Sequence, residues 1–387
     1  MRATMRTRFA VGLVALFAVA GVAAGCSSSS SSDETLRIGL EAPLTGELAE
    51  LGTGMLNGAK QAAAKLNAAG GVNGKQVEII AIDDKGDPDA GVAAATAAIE
   101  SGLDAIVGPY NSGVGLKTLP LYIEAGLVPL RLTSSDATAG LGFTLQPMTS
   151  QIAPVATDAL VTGLKATKVA LIVDDTAAYN KSAAEAMTTS LGVKGVTITA
   201  TQTIVPGAAS YTEAVTAVLA TNPDAVYVVT YFPEAGLIAQ AMAAANTSVT
   251  CLADYGAYDN GYITAAGAAA STCAVVGVPA PDEFPDSAEL VAAYTSQFGG
   301  APGAWSPYTY DSVLVLADAI GRANGTSKDA LTTALLATKG WKGWTGSVSF
   351  ESGTGNRLPA PVTVDIVNSS GVFQVDPAWV AATGFTY

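Results

Sequence analysis

The residues best able to do chemistry in this chain stand just after short apolar runs. Gly108-Pro109-Tyr110-Asn111-Ser112-Gly113 follows the run 105–107 and leads into a helical pattern. Backbone N–H groups and a hydroxyl at a helix start can hold an anion such as a carboxylate, and Ser112 there can equally be a plain helix cap. Thr133-Ser134-Ser135-Asp136 follows 128–132 as a second hydroxyl cluster, in isolation an ordinary turn. Tyr179, Tyr231 and Asp254 come soon after the runs 169–173, 225–230 and 249–252. Each alone reads as a half-buried aromatic or a cap. Together the five loops offer hydroxyls and N–H groups for an anion, a carboxylate for a cation, and rings to cover what lies between.

Catalysis is poorly supplied. The chain has no histidine, which removes Ser-His-Asp and Cys-His nucleophiles and His-ligated metals. No Gly-x-Ser-x-Gly elbow occurs, and the glycines 52, 54 and 58 are spaced one residue too widely for a dinucleotide fingerprint. Gly70-Gly71-Val72-Asn73-Gly74-Lys75-Gln76 lacks P-loop spacing. Asp83, Asp84, Asp87 and Asp89 carry Pro88 where a calcium loop requires Gly, so they read as a solvated turn. No enzyme activity, metal or cofactor is expected. With 33 acidic against 19 basic residues and a net charge of −14, binding to a phosphate backbone falls away as well.

The elements that hold these loops follow an alternating rhythm. The 387 residues, 49% hydrophobic and only 13% charged, exclude bulk disorder and suffice for two or three domains. Apolar strand patterns at 36–40, 77–82, 105–107 and 128–132 alternate with helical patterns at 55–66, 89–99 and 114–124, where Pro120 is expected to kink the helix. The rhythm restarts after Pro147, with strands at 169–173, 196–204, 225–230 and 249–252 and helices at 178–191, 211–219 and 234–245. Such alternation predicts parallel sheets covered by helices, here in two similar α/β lobes. Pro- and polar-rich stretches at 146–154, 278–285 and 358–361 are expected to carry the chain across. Ligands of open α/β sheets sit beyond the carboxyl ends of strands, where the polar loops lie.

The N-terminus reads as an address. Residues 1–8 carry Arg2, Arg6 and Arg8, and residues 9–24 are an apolar or small-residue run of 16. That is short for a bilayer span of about 20 residues and suits a secretory signal. Val22-Ala23-Ala24-Gly25-Cys26, followed by six serines, resembles a bacterial lipoprotein signal. The resemblance implies a signal peptide over 1–25, a lipidated Cys26 and a tether over 26–34. Ala23 stands where Leu is commoner. Cys251 and Cys273 remain, either as a disulfide in an oxidising compartment or as two buried thiols.

From residue 36 onward the chain resembles the type I periplasmic binding proteins of the branched-chain amino-acid ABC transport family. The resemblance is carried by Ala42-Pro43-Leu44-Thr45-Gly46, the Gly70–Lys75 stretch, Ile82-Asp83-Asp84, Ala105-Ile106-Val107-Gly108-Pro109 and Asn111-Ser112. It continues through Tyr231-Phe232-Pro233-Glu234 and Pro307-Tyr308-Thr309-Tyr310-Asp311. It implies an α/β fold of two Rossmann-like lobes with parallel central sheets, joined by three crossovers around a ligand cleft. The lobes would be 35–150 with 282–358, and 151–281 with 359–387.

By the same resemblance Ser112, Thr133, Ser134 and Ser135 hold the α-carboxylate of an amino acid and Asp254 holds its ammonium. Tyr179 and Tyr231 close over it, and Leu51, Tyr110 and Trp305 line its side chain. Leu51 stands where an aromatic is frequent. The cysteine pair that some members carry at Gly86 and Asn111 is missing. The expectation is a monomeric, lipid-anchored receptor on the outer face of the cytoplasmic membrane, serving an ABC permease. Alternatives are a receptor of the same fold for amides, urea or small carboxylates, and a ligand sensor for a signalling partner.

Overall fold

In the computed structural model, residues 35–385 are described. The basic start, the apolar run, Cys26 and the serine tether lie outside the described residues. The first sheet is built from β1 (Leu36–Ala42), β2 (Val77–Asp83), β3 (Ala105–Val107) and β4 (Pro129–Leu130), with α1 (Ala49–Ala68), α2 (Pro88–Glu100) and α3 (Ser112–Glu124) between them. Its order is β2-β1-β3-β4 and every pairing is parallel. Helices on both faces explain why β1 and β3 read as near-continuous apolar runs. Strand β4 is shorter than expected, because Arg131 N–H turns from the ladder to Phe143 O at 2.8 Å.

After α4 (Thr149–Asp158) the second sheet begins. It contains β5 (Lys168–Asp174), β6 (Thr197–Ile204), β7 (Ala225–Val229), β8 (Thr250–Ala253) and β9 (Cys273–Gly277). The helices α5 (Ala178–Val193), α6 (Thr212–Leu219), α7 (Phe232–Ala244) and α8 (Asn260–Ala266) separate these strands. The chain then returns with α9 (Ala288–Phe298), α10 (Ser306–Ala323), α11 (Lys328–Leu336) and the hairpin β10 (Trp341–Gly343) and β11 (Gly346–Val348). Helices α9 and α10 pack on α1, which ties this segment to the first sheet. A Cβ on Gly58 would lie 2.2 Å from Ser306 O, so α1 and α10 meet backbone to backbone only because Gly58 is a glycine.

A last passage brings β12 (Thr363–Val367), β13 (Phe373–Val375) and α12 (Pro377–Thr383) to the second sheet, whose order is β13-β12-β9-β8-β7-β5-β6. This sheet is not wholly parallel, against the expectation. β12 enters with no helix to reverse it and runs antiparallel to β9, and a tight turn folds β13 back on it. Asn368 Oδ1 pins that turn by accepting Ser370 N–H at 2.9 Å. Three connections thus link the two sheets, and the expected crossing stretches fall on them, the first running on into α4. Cys251 and Cys273 are disulfide-bonded across the β8–β9 pair, with Cα atoms 4.5 Å apart. Among the described residues no helix is long and apolar enough to cross a membrane.

Candidate ligand-binding site

Strand order reverses between β1 and β3 in one sheet and between β5 and β7 in the other, which is where an α/β sheet opens a crevice. The loop after β3 enters it by a turn that needs glycine. Gly108 has φ +105°, and a Cβ there would sit 2.1 Å from Glu41 O. The turn delivers Tyr110, Asn111 and Ser112 to the start of α3, whose first N–H groups have no acceptor within the helix. Ser112 is not the cap: Asn111 holds that position, without a side-chain cap bond. The Ser112 hydroxyl instead accepts Ser135 N–H at 3.2 Å, joining the loop after β3 to the turn after β4.

In that turn the hydroxyls divide. Ser134 faces the crevice. Ser135 Oγ accepts Ala137 N–H at 3.3 Å, and Thr133 Oγ1 lies 2.7 Å from Thr138 Oγ1 behind the turn. The turn's own hydrogen bonds thus draw Thr133 and Ser135 away from the wall expected of them.

The second sheet supplies the opposite face. Asp254 follows β8, is 1% exposed, and accepts the Tyr179 hydroxyl at 2.7 Å and Gly256 N–H at 3.4 Å. Its other oxygen takes the hydroxyl of Tyr227 from within β7. Burial holds the Asp254 carboxyl above the usual range, and the two phenols oppose that rise. Tyr231, at the start of α7, lies 6.2 Å ring to ring from Tyr179 and accepts Asn111 Nδ2–H at 3.2 Å, a bond between the two faces.

A narrow cavity of about 10 Å³ lies between the faces, lined by Tyr110, Ser112, Leu132, Ser134, Tyr179, Tyr231 and Tyr255. That is room for about one water molecule, so a larger occupant requires the two faces to separate. Asp254 is bonded to the Tyr179 hydroxyl and is not itself part of the wall. Trp305 packs against Tyr110 and Tyr255 with centroids 5.9 and 5.0 Å apart. Leu51 and Trp305 line a neighbouring cavity of about 180 Å³ together with Glu50, Asn57 and Asp259. The structure thus gathers Tyr110, Ser112, Ser134, Tyr179 and Tyr231 at one cavity and sets Leu51 in the next.

Tyr227 and Tyr255 escaped the sequence reading. Tyr227 is an aromatic inside an apolar strand, which gives no signal. Tyr255 adjoins Asp254 and was within reach. Among the described residues no group of acids and cysteines is arranged to hold a metal ion.

The fold is that of a two-lobed solute-binding protein. The sequence profile of the family described as "Periplasmic binding protein" matches residues 35–371. A Leu/Ile/Val-binding protein homologue from Brucella abortus is 28% identical over 326 residues, covering 82% of this chain and 86% of the relative. A Leu/Ile/Val-binding protein of Rhizobium johnstonii is 35% identical over 221 residues, covering 55% of this chain and 60% of that protein. The substrate-binding protein LivJ of a branched-chain amino-acid transporter from Streptococcus pneumoniae, solved in complex with isoleucine, superposes with a TM-score of 0.80. It is 25% identical, with 89% of this chain and 99% of that one covered. The chain belongs to the type I periplasmic binding proteins of the branched-chain amino-acid ABC transporter type.

Proposed function

We propose that this protein captures a small amino acid, branched-chain or similar, outside the cytoplasmic membrane and delivers it to an ABC permease. One observation carries the reading: a single small cavity has hydroxyls and a helix start on one face and the phenol-bound Asp254 carboxylate behind the other. A zwitterion is costly to desolvate unless both ends find partners. The α3 start, Ser112 and the Ser134 hydroxyl of the Thr133–Ser135 turn take the carboxylate. Asp254 takes the ammonium, Tyr179 and Tyr231 cover it, and Leu51, Tyr110 and Trp305 bound the side chain. With the lobes at 35–150 plus 282–358 and 151–281 plus 359–387, only the closed form satisfies both ends, so ligand shifts an open–closed equilibrium. The lipid on Cys26 and the serine tether would keep this receptor at the membrane face, acting as a monomer and without catalysis.

Calorimetry and thermal shift with leucine, isoleucine, valine, acetamide, urea and benzoate test the ligand class. Micromolar binding of an amino acid, about −8 kcal/mol, is the expected result. Stabilisation by an amide or a simple carboxylate alone would transfer the reading to that ligand. Mass spectrometry of membrane-extracted protein is expected to find lipid on an N-terminal Cys26, and a free thiol there refutes the anchor.

A further inference from the structure

Arg131 carries a charge that no acid bonded to it matches. Its side chain is 0% exposed, between β4 and the Thr133–Ser135 turn. Nη1 donates over long distances to Thr133 O and Oγ1, both 3.4 Å, to Thr138 Oγ1 at 3.3 Å and to Met148 Sδ at 3.4 Å. Nη2 reaches Thr354 O at 3.4 Å and Asn356 Oδ1, and Nε has no partner. All of these acceptors are neutral. The nearest electrostatic help comes from Asp136, whose oxygens are occupied by Thr149 and Ser150. Burial pulls the guanidinium down to about 9, as it must for a cation held by dipoles alone.

The opposite face mirrors this. Asp254 is a buried anion whose hydrogen-bond partners, Tyr179, Tyr227 and Gly256, are all neutral donors. An isolated buried charge is strongly unfavourable, yet each face of the site carries one, a cation on the first and an anion on the second. From Arg131 the bonds run through Thr133 Oγ1 to Thr138 Oγ1 and on to Ser135 O. They brace the turn that carries Ser134 into the cavity, and so link the positive charge to the anion-facing side.

Building on the amino-acid reading above, we propose that Arg131 is a positioning residue and counter-charge for the ligand's α-carboxylate, acting through the Thr133–Ser135 turn. The site then selects a free α-carboxylate over its amide, and a net-neutral zwitterion completes both buried charges at once.

The test compares L-leucine with L-leucinamide by calorimetry on wild type, Arg131→Gln and Arg131→Lys, with folding checked by circular dichroism. Wild type is expected to prefer leucine at least 10-fold. Arg131→Gln should lower that preference at least 10-fold, chiefly by weakening leucine, and Arg131→Lys should restore most of it. A bracing role alone would weaken both ligands equally and leave the ratio unchanged, which overturns the proposal. A wild-type preference below 10-fold overturns it without any variant, so the test survives if Arg131→Gln does not fold. Failure of wild type to bind leucine, isoleucine or valine overturns the amino-acid reading and this inference with it. Leucine bound with an unchanged ratio overturns the inference alone.

Discussion

Replacing Asp254 by Asn tests the ammonium site most directly. A carboxylate offers about four lone-pair positions, and three are taken by Tyr179, Tyr227 and Gly256. Tyr255 N–H also bonds this carboxylate, so a ligand ammonium must share its oxygens with these donors. Asparagine keeps one acceptor oxygen and turns the other position into a donor, which either phenol can accept by rotating its hydroxyl. The ligand-free protein therefore loses little, and it also sheds a buried charge that burial already disfavours. Its stability at pH 7 is expected within about 1 kcal/mol of wild type. A bound ammonium has no such alternative. It keeps only neutral acceptors, at a cost of about 2–5 kcal/mol, or roughly 30- to several-thousand-fold in affinity. Ser112→Ala is the milder comparison, about 1–2 kcal/mol, since the α3 N–H groups remain. Calorimetry with L-leucine on the three proteins reads both numbers. Wild-type affinity in Asp254→Asn would refute the assignment and with it the requirement for an amine.

The disulfide closes a loop with a sequence separation of 22 that includes Asp254. Changing both cysteines to alanine is expected to cost about 3 kcal/mol in urea unfolding, and an unchanged midpoint would show that the bridge adds nothing. Asp84, buried below the first sheet's loops, is raised by burial from 3.8 to about 7. Between those values the folded protein holds a proton that the unfolded chain has released. The resulting stabilisation is therefore full below the lower value and fades as pH climbs to the upper one, by up to about 1.4 kcal/mol per pH unit. Unfolding free energies at pH 4, 5.5 and 7 should show a shallower decline in Asp84→Asn, and parallel curves would discount this proton.

Through residue 253 most elements are legible, because most strands there are apolar runs and most helices amphipathic repeats; α4, which begins inside the expected crossing stretch 146–154, is the exception. β3 falls on 105–107 as expected, and the other boundaries differ by up to six residues, the most at the start of α1. The last third was not legible in the same way. α10 is buried on most sides, from Ser306 to Ile320, so it has no polar stripe to mark its period. β10 to β13 are too short for alternation to show. Within the site, loop position identified the candidates, but the roles of their hydroxyls depended on local bonds that no spacing reveals. Ser135 caps a short helical turn, and Ser134 beside it faces the cavity. Arg131 gave no signal because it stands in an apolar run, Leu130-Arg131-Leu132, where only the fold shows that the charge points inward.

The return of the chain to both sheets bears on the order in which it can fold. α1 near the N-terminus needs α10 at residues 306–323 to cover it, and the second sheet gains its last edge only at residues 363–375. Neither half can be excised as a continuous piece of sequence. Contacts spanning most of the chain bring a large loop-closure entropy and slow folding. A growing polypeptide of this design therefore completes neither the cover of α1 nor the last edge of the second sheet until residues 306–323 and 363–375 have been made.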